Sequence, residues 1–333
     1  MWTILSVLAL LLLAIAAIVA AALTLRVRSV SNRLVRQLGP LVFALGALGC
    51  VAALAIALFG YYKLEARQDH AVASVKVAGS MEQIARGMKL ANLCITCHSS
   101  AARLPLDGNT RNVISNPPIG RLQSPNLTPA GPLKDWSDGE IMRALREGIA
   151  KNGRPLLGMP TWSFRYMSDA DAQAIVAYLR SQPAVTREVA ARDLNLLAAL
   201  AVGAGLAPSS VQPAITQPIV APKPGVAVEY GRYAVAFAGC RDCHGKNLNG
   251  GTAPLGLPFL SATPLGPSLL VSVQRLDQGE FVNTVRTGVT PRGKVLPNEK
   301  MPWKDFAASY GEDELAAIYN YLSSVDAAAA ATP

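Results

Sequence analysis

Two long stretches near the start of the chain carry no charged side chain. Residues 1–25 are mostly Leu, Ala, Ile and Val, and residues 41–62 repeat that character and end in Phe59, Tyr61 and Tyr62. At about 1.5 Å rise per residue each can cross a hydrocarbon core of about 30 Å, and terminal aromatics favour the membrane interface. The pattern predicts a hairpin of two transmembrane helices, 1–25 and 41–62, joined by a loop at 26–40. Beyond residue 80 the apolar positions take up the spacing of amphipathic helices. Ile175, Val176 and Leu179 share one such face, and Leu315, Ile318, Tyr319 and Leu322 another. Ser137 and Glu140 make a capping box ahead of a helix whose Met142, Leu145 and Ile149 read as core.

Charge gives the hairpin a direction. The loop holds Arg26, Arg28, Arg33 and Arg36 and no acid, whereas the linker at 63–80 mixes Lys63, Arg67 and Lys76 with Glu65 and Asp69. Positive residues stay on the cytoplasmic side, so the N-terminus and everything after residue 62 are expected on the outer, periplasmic-type side. A cleaved secretory signal would carry a basic start and a shorter apolar core, so the first run is expected to be a retained anchor. The whole chain has 333 residues, 51% of them hydrophobic and 16% charged, and a formal net charge of +9. That balance excludes a disordered protein, and the length suggests two or three compact units. No run of Lys and Arg forms a basic stripe, so a nucleic-acid partner is not expected.

Four of the five cysteines fall into two C-x-x-C-H sequences, Cys94-Ile95-Thr96-Cys97-His98 and Cys240-Arg241-Asp242-Cys243-His244. On one short helical turn the two thiols can reach the two vinyl groups of a porphyrin while the adjacent His comes up beneath the iron. A zinc site needs four ligands where each region supplies three, and a redox dithiol needs neither the His nor a second copy. The expected cofactors are two covalently bound haem c groups, with His98 and His244 as iron ligands. Cys50, inside the second apolar run, reads as a small apolar residue. His70, just past that run, reads as a solvated linker residue.

The chain repeats itself. Glu140, Arg146 and Gly148 match Glu280, Arg286 and Gly288 at an offset of 140, Met159-Pro160 matches Met301-Pro302 at 142, and Tyr178-Leu179 matches Tyr321-Leu322 at 143. Met301 is the only Met after His244, which makes it the expected sixth ligand of the second haem iron, and Met159 holds its place in the first copy. Met142 reads as core and Met167 as a hydrophobic staple before the cap Ser168, which leaves Met167 the next candidate after Met159. Each copy runs through a leading helix, C-x-x-C-H, a Gly/Pro-rich stretch, a middle helix, the Met loop and a final helix. Gly87 lies seven residues before Cys94 and Gly231 nine before Cys240, so the first leading helix or its exit is shortened. With little apolar material between these helices, the porphyrin is expected to complete each core.

Residues 81–325 resemble the membrane-anchored dihaem c-type cytochromes of bacterial respiratory chains, and more narrowly the cytochrome subunits of membrane-bound dehydrogenases. The resemblance rests on both C-x-x-C-H motifs, on the stretches Ser124 to Pro129, Trp136 to Glu140, Met159-Pro160 and Glu229 to Tyr233, and on Gly245 to Gly251. It implies an all-α fold: two tandem class I cytochrome c domains, 81–183 and 225–325, behind the two-helix transmembrane hairpin. It also implies that Pro125 and Pro267, which correspond at an offset of 142, offer their carbonyls to the haem His residues, with Pro117 and Pro118 as competitors in the first copy. Between the domains, 184–224 holds a Leu-rich run at 194–206, too short to span a bilayer, expected as a short helix in an interdomain linker. The tail at 326–333 is expected to be disordered.

These features together predict a relay that passes single electrons on the periplasmic face of a bacterial inner membrane. Its expected partners are membrane lipid and other redox subunits: a dehydrogenase, a quinol-oxidising complex or a terminal oxidase. The leading expectation is a dehydrogenase's electron-transfer subunit rather than its catalytic one, and the alternative is a dihaem subunit or donor of a haem-copper oxidase. A dihaem peroxidase would need an open sixth position, which a Met in each copy disfavours. A redox or gas sensor is disfavoured because the only cytoplasmic part is the short Arg-rich loop.

Overall fold

A computed structural model describes residues 4–113, 118–207, 210–251 and 265–325, so the expected tail at 326–333 and residues 1–3 of the first apolar run lie outside it. The chain divides into two compact units. Met1–Ala66, Ile114–Leu122 and Ala191–Ser209 form one, and Arg67–Val113, Gln123–Ala190 and Ser210–Pro333 the other.

The first unit is built on α1 (Ile4–Arg26) and α2 (Arg33–Glu65), which pack against each other. Both are long and apolar enough to cross a membrane. The second helix begins at Arg33, inside the stretch expected as loop. The reason is local: Asn32 accepts hydrogen bonds from the Leu34 and Val35 amides, and so starts the helix before the charges end. Pro40 is carried within it, costing one backbone bond near its start.

In the second unit, α3 (Met81–Ala91) opens on a capping box between Ser80 and Gln83 and leads through a single 3₁₀ turn into α4 (Ile95–His98). A short strand pair, β1 (Asn109–Asn112) with β3 (Gln123–Ser124), follows. Next come α5 (Asp138–Glu147), capped by Ser137 and Glu140, the short α6 (Thr161–Phe164) and α7 (Asp169–Ser181). Helix α7 lies across α3, where a Cβ on Gly87 would fall 1.8 Å from the Ala174 carbonyl oxygen.

Residues expected inside the first domain and the linker contribute to the first unit instead. Strand β2 (Gly120–Arg121) pairs antiparallel with β4 (Asp193–Leu194), and Gly120, at φ +103°, brings its Cα so close that a Cβ would meet the Asp193 carbonyl at 2.3 Å. The Leu-rich run forms α8 (Leu196–Gly203), as its composition predicts, but it docks on α2 rather than bridging two domains.

The second C-x-x-C-H region repeats the first. Helices α9 (Val228–Phe237), α10 (Cys240–His244), α11 (Leu269–Val273), α12 (Gln278–Thr287), α13 (Trp303–Ser309) and α14 (Glu312–Ser324) follow in order. Helix α14 crosses α9, and a Cβ on Gly231 would fall 1.9 Å from the Ala317 carbonyl. The shortening before Cys94 falls on the leading helix itself, since α3 ends at Ala91, four residues after Gly87, and α9 at Phe237, six after Gly231, and it leaves this crossing intact. Helix α9 leaves through Ala238 and Gly239, the latter at φ +76°, whereas α3 runs almost directly into α4. The two regions, expected as separate domains, lie in one compact unit because their buried residues join: Leu90, Ile95, Met142 and Ile175 pack in the same cluster as Tyr230, Tyr233, Phe237 and Leu315.

Candidate haem sites

At the first turn, Pro125 lies where its carbonyl oxygen is 3.0 Å from His98 Nδ1. A carbonyl only accepts, so Nδ1 carries the proton and Nε2 keeps its lone pair. Burial lowers the imidazole pKa, opposed by the Pro125 bond, and the ring is neutral at physiological pH. The His98 carbonyl is in turn bound by the Gly108 amide at 2.8 Å, which fixes the turn. Burial, then Cys97 and Asp305, push the Cys94 thiol up to about 12, and burial with Asp305 raises Cys97.

The second turn has the same construction. His244 Nδ1 lies 2.7 Å from the Pro267 carbonyl, and the Gly250 amide binds the His244 carbonyl at 2.8 Å. Burial lowers the His244 pKa against the Pro267 bond, and burial, then Asp242, push Cys240 up to about 12. Of the competing prolines, Pro117 lies outside the described residues, and the Pro118 carbonyl is taken by Asn195 Nδ2 at 2.7 Å.

The two Met-Pro sequences adopt one backbone. Pro160 sits at φ −78°, ψ 56° and Pro302 at φ −76°, ψ 59°, each as the residue before a short helix. The Thr161 amide bonds the Met159 carbonyl at 2.8 Å and the Trp303 amide the Met301 carbonyl at 2.7 Å, so both are inverse γ-turns centred on proline. Upstream, Gly148 and Gly288 end α5 and α12 in the left-handed region, and their carbonyls bind the Leu156 and Leu296 amides. Met142 and Met167 are 5% and 1% exposed and belong to the core, whereas Met159 and Met301 are half-buried in their loops.

These residues fit covalent haem. The thiols are not paired in disulfides, each imidazole is neutral with its iron-binding nitrogen free of the proline contact, and the donors are of the soft kind iron in a porphyrin accepts. They do not fit zinc, since among the described residues no three His, Cys, Asp or Glu side chains converge.

Each attachment turn also touches the other region's Met loop. Thr96 Oγ1 donates to Asp305 Oδ2 at 2.5 Å, four residues past Met301. Reciprocally, Asp242 Oδ1 accepts from Trp162 Nε1 at 2.7 Å and from Ser163 Oγ at 3.0 Å, just past Met159. Thr96 and Asp242 hold the same place in their motifs, and Ser163 and Asp305 correspond at the offset of 142, so one contact is made twice with the two halves exchanged. Arg86 also joins the two halves: it grips Asp171 in a fork, Nε to Oδ1 at 2.8 Å and Nη2 to Oδ2 at 3.1 Å, and reaches Glu314 Oε1 with Nη1 at 2.8 Å. The Tyr230 hydroxyl donates to Glu314 and accepts from Arg86, and the Tyr233 hydroxyl donates to Asp171 at 2.7 Å.

None of this inter-region network follows from motif spacing. His70, expected in solvent, instead binds Glu147 Oε2 through Nδ1 at 2.6 Å while its carbonyl accepts from Arg143, which ties the linker to the end of α5.

Comparison with known proteins places residues 82–179 in the profile described as "Cytochrome C oxidase, cbb3-type, subunit III". The chain is similar to a nicotinate dehydrogenase subunit of Pseudomonas putida (28% identity over 75% of this chain and 22% of that protein). Shorter stretches are similar to the gluconate 2-dehydrogenase cytochrome c subunit of Pantoea cypripedii (36% identity over 28% of this chain and 22% of the relative) and to the fructose dehydrogenase cytochrome subunit of Gluconobacter japonicus (34%, over 27% and 20%). The chain thus covers about a fifth of the length of each relative.

Proposed function

Because residues 82–179 carry a cytochrome c domain and the chain is similar to the cytochrome c subunits of dehydrogenases, we propose that it is a membrane-tethered dihaem cytochrome c. It relays single electrons on the periplasmic side as the electron-transfer subunit of a respiratory dehydrogenase complex. Helices α1 and α2 anchor it in the bacterial inner membrane with the N-terminus and both haem regions outside. The reading of 225–325 as a second class I cytochrome c domain is carried by one observation above others: a His–Pro carbonyl contact, a Met-Pro inverse γ-turn and a Gly-capped middle helix recur in both halves.

Haem c bound in each half supplies a one-electron iron couple. The protein's own residues do the rest. Cys94 and Cys97, and Cys240 and Cys243, would hold the porphyrins covalently. Pro125 and Pro267 keep His98 and His244 in the tautomer that binds iron and fix each ring's orientation. Met159 and Met301 would be the second protein ligand of each iron, which would raise its potential and leave oxygen and peroxide no site.

A second reading, the dihaem subunit of a haem-copper oxidase, draws support from the name of the profile matched at 82–179. Gentle solubilisation and identification of the co-purifying subunits separates the two. A flavin, quinoprotein or molybdenum dehydrogenase subunit in fixed ratio supports the first, and copper-haem oxidase subunits replace it with the second.

A further inference from the structure

Helix α8 and the second half of α2 run antiparallel with their backbones in contact. A Cβ on Gly60 would lie 1.8 Å from the Ala199 carbonyl oxygen, and a Cβ on Gly203 would lie 2.0 Å from that of Ile56. Ala57, Ala198 and Ala199 are buried beside them. Arg192 fixes the level at which α8 begins. Its Nη2 donates to the Leu64 carbonyl and to Glu65 Oε1 at 3.2 Å, and Asn195 then caps the helix by accepting from the Leu197 and Ala198 amides. From Leu64 to Ile56 the helix descends beside eight residues of α2, about 12 Å at 1.5 Å per residue.

Its far end closes without a polar side chain. The Ala204, Gly205 and Leu206 amides bind the Leu200, Val202 and Ala201 carbonyls, and the Ala207 amide also turns to Ala201, with Gly205 at φ +72°. The Leu200, Ala201 and Val202 carbonyls, which a helix end would leave to solvent, are thereby satisfied internally, as a hydrocarbon environment favours. Between Asp193 and Lys223 the sequence holds no charge. Leu197 and Leu206 face outward at 41% and 39% exposure, and the α2 residues flanking the contact, Leu58 and Phe59, are exposed at 44% and 49%. An apolar surface of this kind inside a transmembrane window has acyl chains as its natural neighbour.

We propose that residues 196–206 form a re-entrant segment that enters the outer leaflet beside α2, contacts phospholipid acyl chains and returns to the same side. This rests on the reading of α1 and α2 as membrane spans. It gives the chain a third membrane contact and pins the segment between the two haem regions to the bilayer.

The test uses the full haem-loaded chain in bilayers of phosphatidylethanolamine and phosphatidylglycerol bearing a diazirine midway along one acyl chain, photolysed and mapped by peptide mass spectrometry. Adducts on 194–206 should come within about twofold of those on α2 and exceed those on 213–224 by about tenfold, since the label resides in the hydrocarbon. Labelling of α2 with 194–206 no higher than 213–224 overturns the re-entrant segment and leaves the transmembrane hairpin standing. Absence of label from α1 and α2 as well overturns both.

Discussion

The Trp162 indole, three residues past Met159, donates its N–H to the Asp242 carboxylate inside the second C-x-x-C-H turn at 2.7 Å. The pseudo-equivalent bond joins Thr96 in the first turn to Asp305 past Met301. Each C-x-x-C-H turn therefore rests on the loop carrying the other half's proposed axial Met. Hydrogen bonds to a charged group contribute about 1.5–3 kcal/mol. Trp162→Phe and Thr96→Val should each lower stability by about that much. Denaturant unfolding followed at both haem bands should show the two regions losing stability together in either variant, and loss confined to one region would mean that the turns are not coupled through these bonds.

Gly87 and Gly231 sit where leading and final helices cross, with 1.8 and 1.9 Å of room for a Cβ against a backbone carbonyl. Since neither oxygen can rotate away, Gly87→Ala or Gly231→Ala forces the helices apart at a cost of about 3 kcal/mol. Thermal unfolding of the haem-loaded variants measures it, and unchanged melting would contradict the close crossing.

Arg86 serves two carboxylates from different halves. Arg86→Met keeps the length of the side chain but leaves Asp171 and Glu314 buried with one partner fewer, which should destabilise the unit by about 3–5 kcal/mol. Adding Glu314→Gln should recover part of that loss, because the orphaned charge is removed.

Glu314 also sets an acid limit. Burial alone would push its carboxyl up, but the Tyr230 hydroxyl, the Gly311 amide and Arg86 outweigh it and hold the pKa below the ordinary 4.5. A depressed carboxylate adds stability that is fully present above its unfolded value and is lost as pH falls through the folded one. Unfolding free energy should therefore fall below about pH 4.5, and Glu314→Gln should flatten that fall. An identical acid profile in the variant would place the titrating group elsewhere.

The motifs that carry chemistry were legible because their geometry is local. Cys94 to His98 and Met159-Pro160 declare themselves within a few residues, and the internal repeat transferred each assignment from one half to the other. The capping box at Ser137 likewise marks a helix start by spacing alone. What stayed hidden depends on distance along the chain. Arg86 and Glu314 are 228 residues apart, and no periodicity links Thr96 to Asp305 across 209. The early start of α2 was masked by its arginines, which read as loop until Asn32 is seen capping the turn. The docking of α8 on α2 depends on Gly60 and Gly203 meeting face to face, and neither glycine signals that by itself.

The Met assignments carry their own test. Met159→Ala should convert the first haem alone to a lower-potential, ligand-exchanging form, and Met301→Ala the second, as read by redox titration and by the ferric Met-to-iron charge-transfer band. Unchanged titration and band in either variant would mean that another residue is the axial ligand.

The most direct measurement is the haem count per chain, by intact mass and haem absorbance, in the wild type, in Cys94→Ala/Cys97→Ala and in Cys240→Ala/Cys243→Ala. A dihaem relay predicts two covalent haems in the wild type and one in each paired variant. A single haem in the wild type, retained when Cys240 and Cys243 are removed, would contradict it.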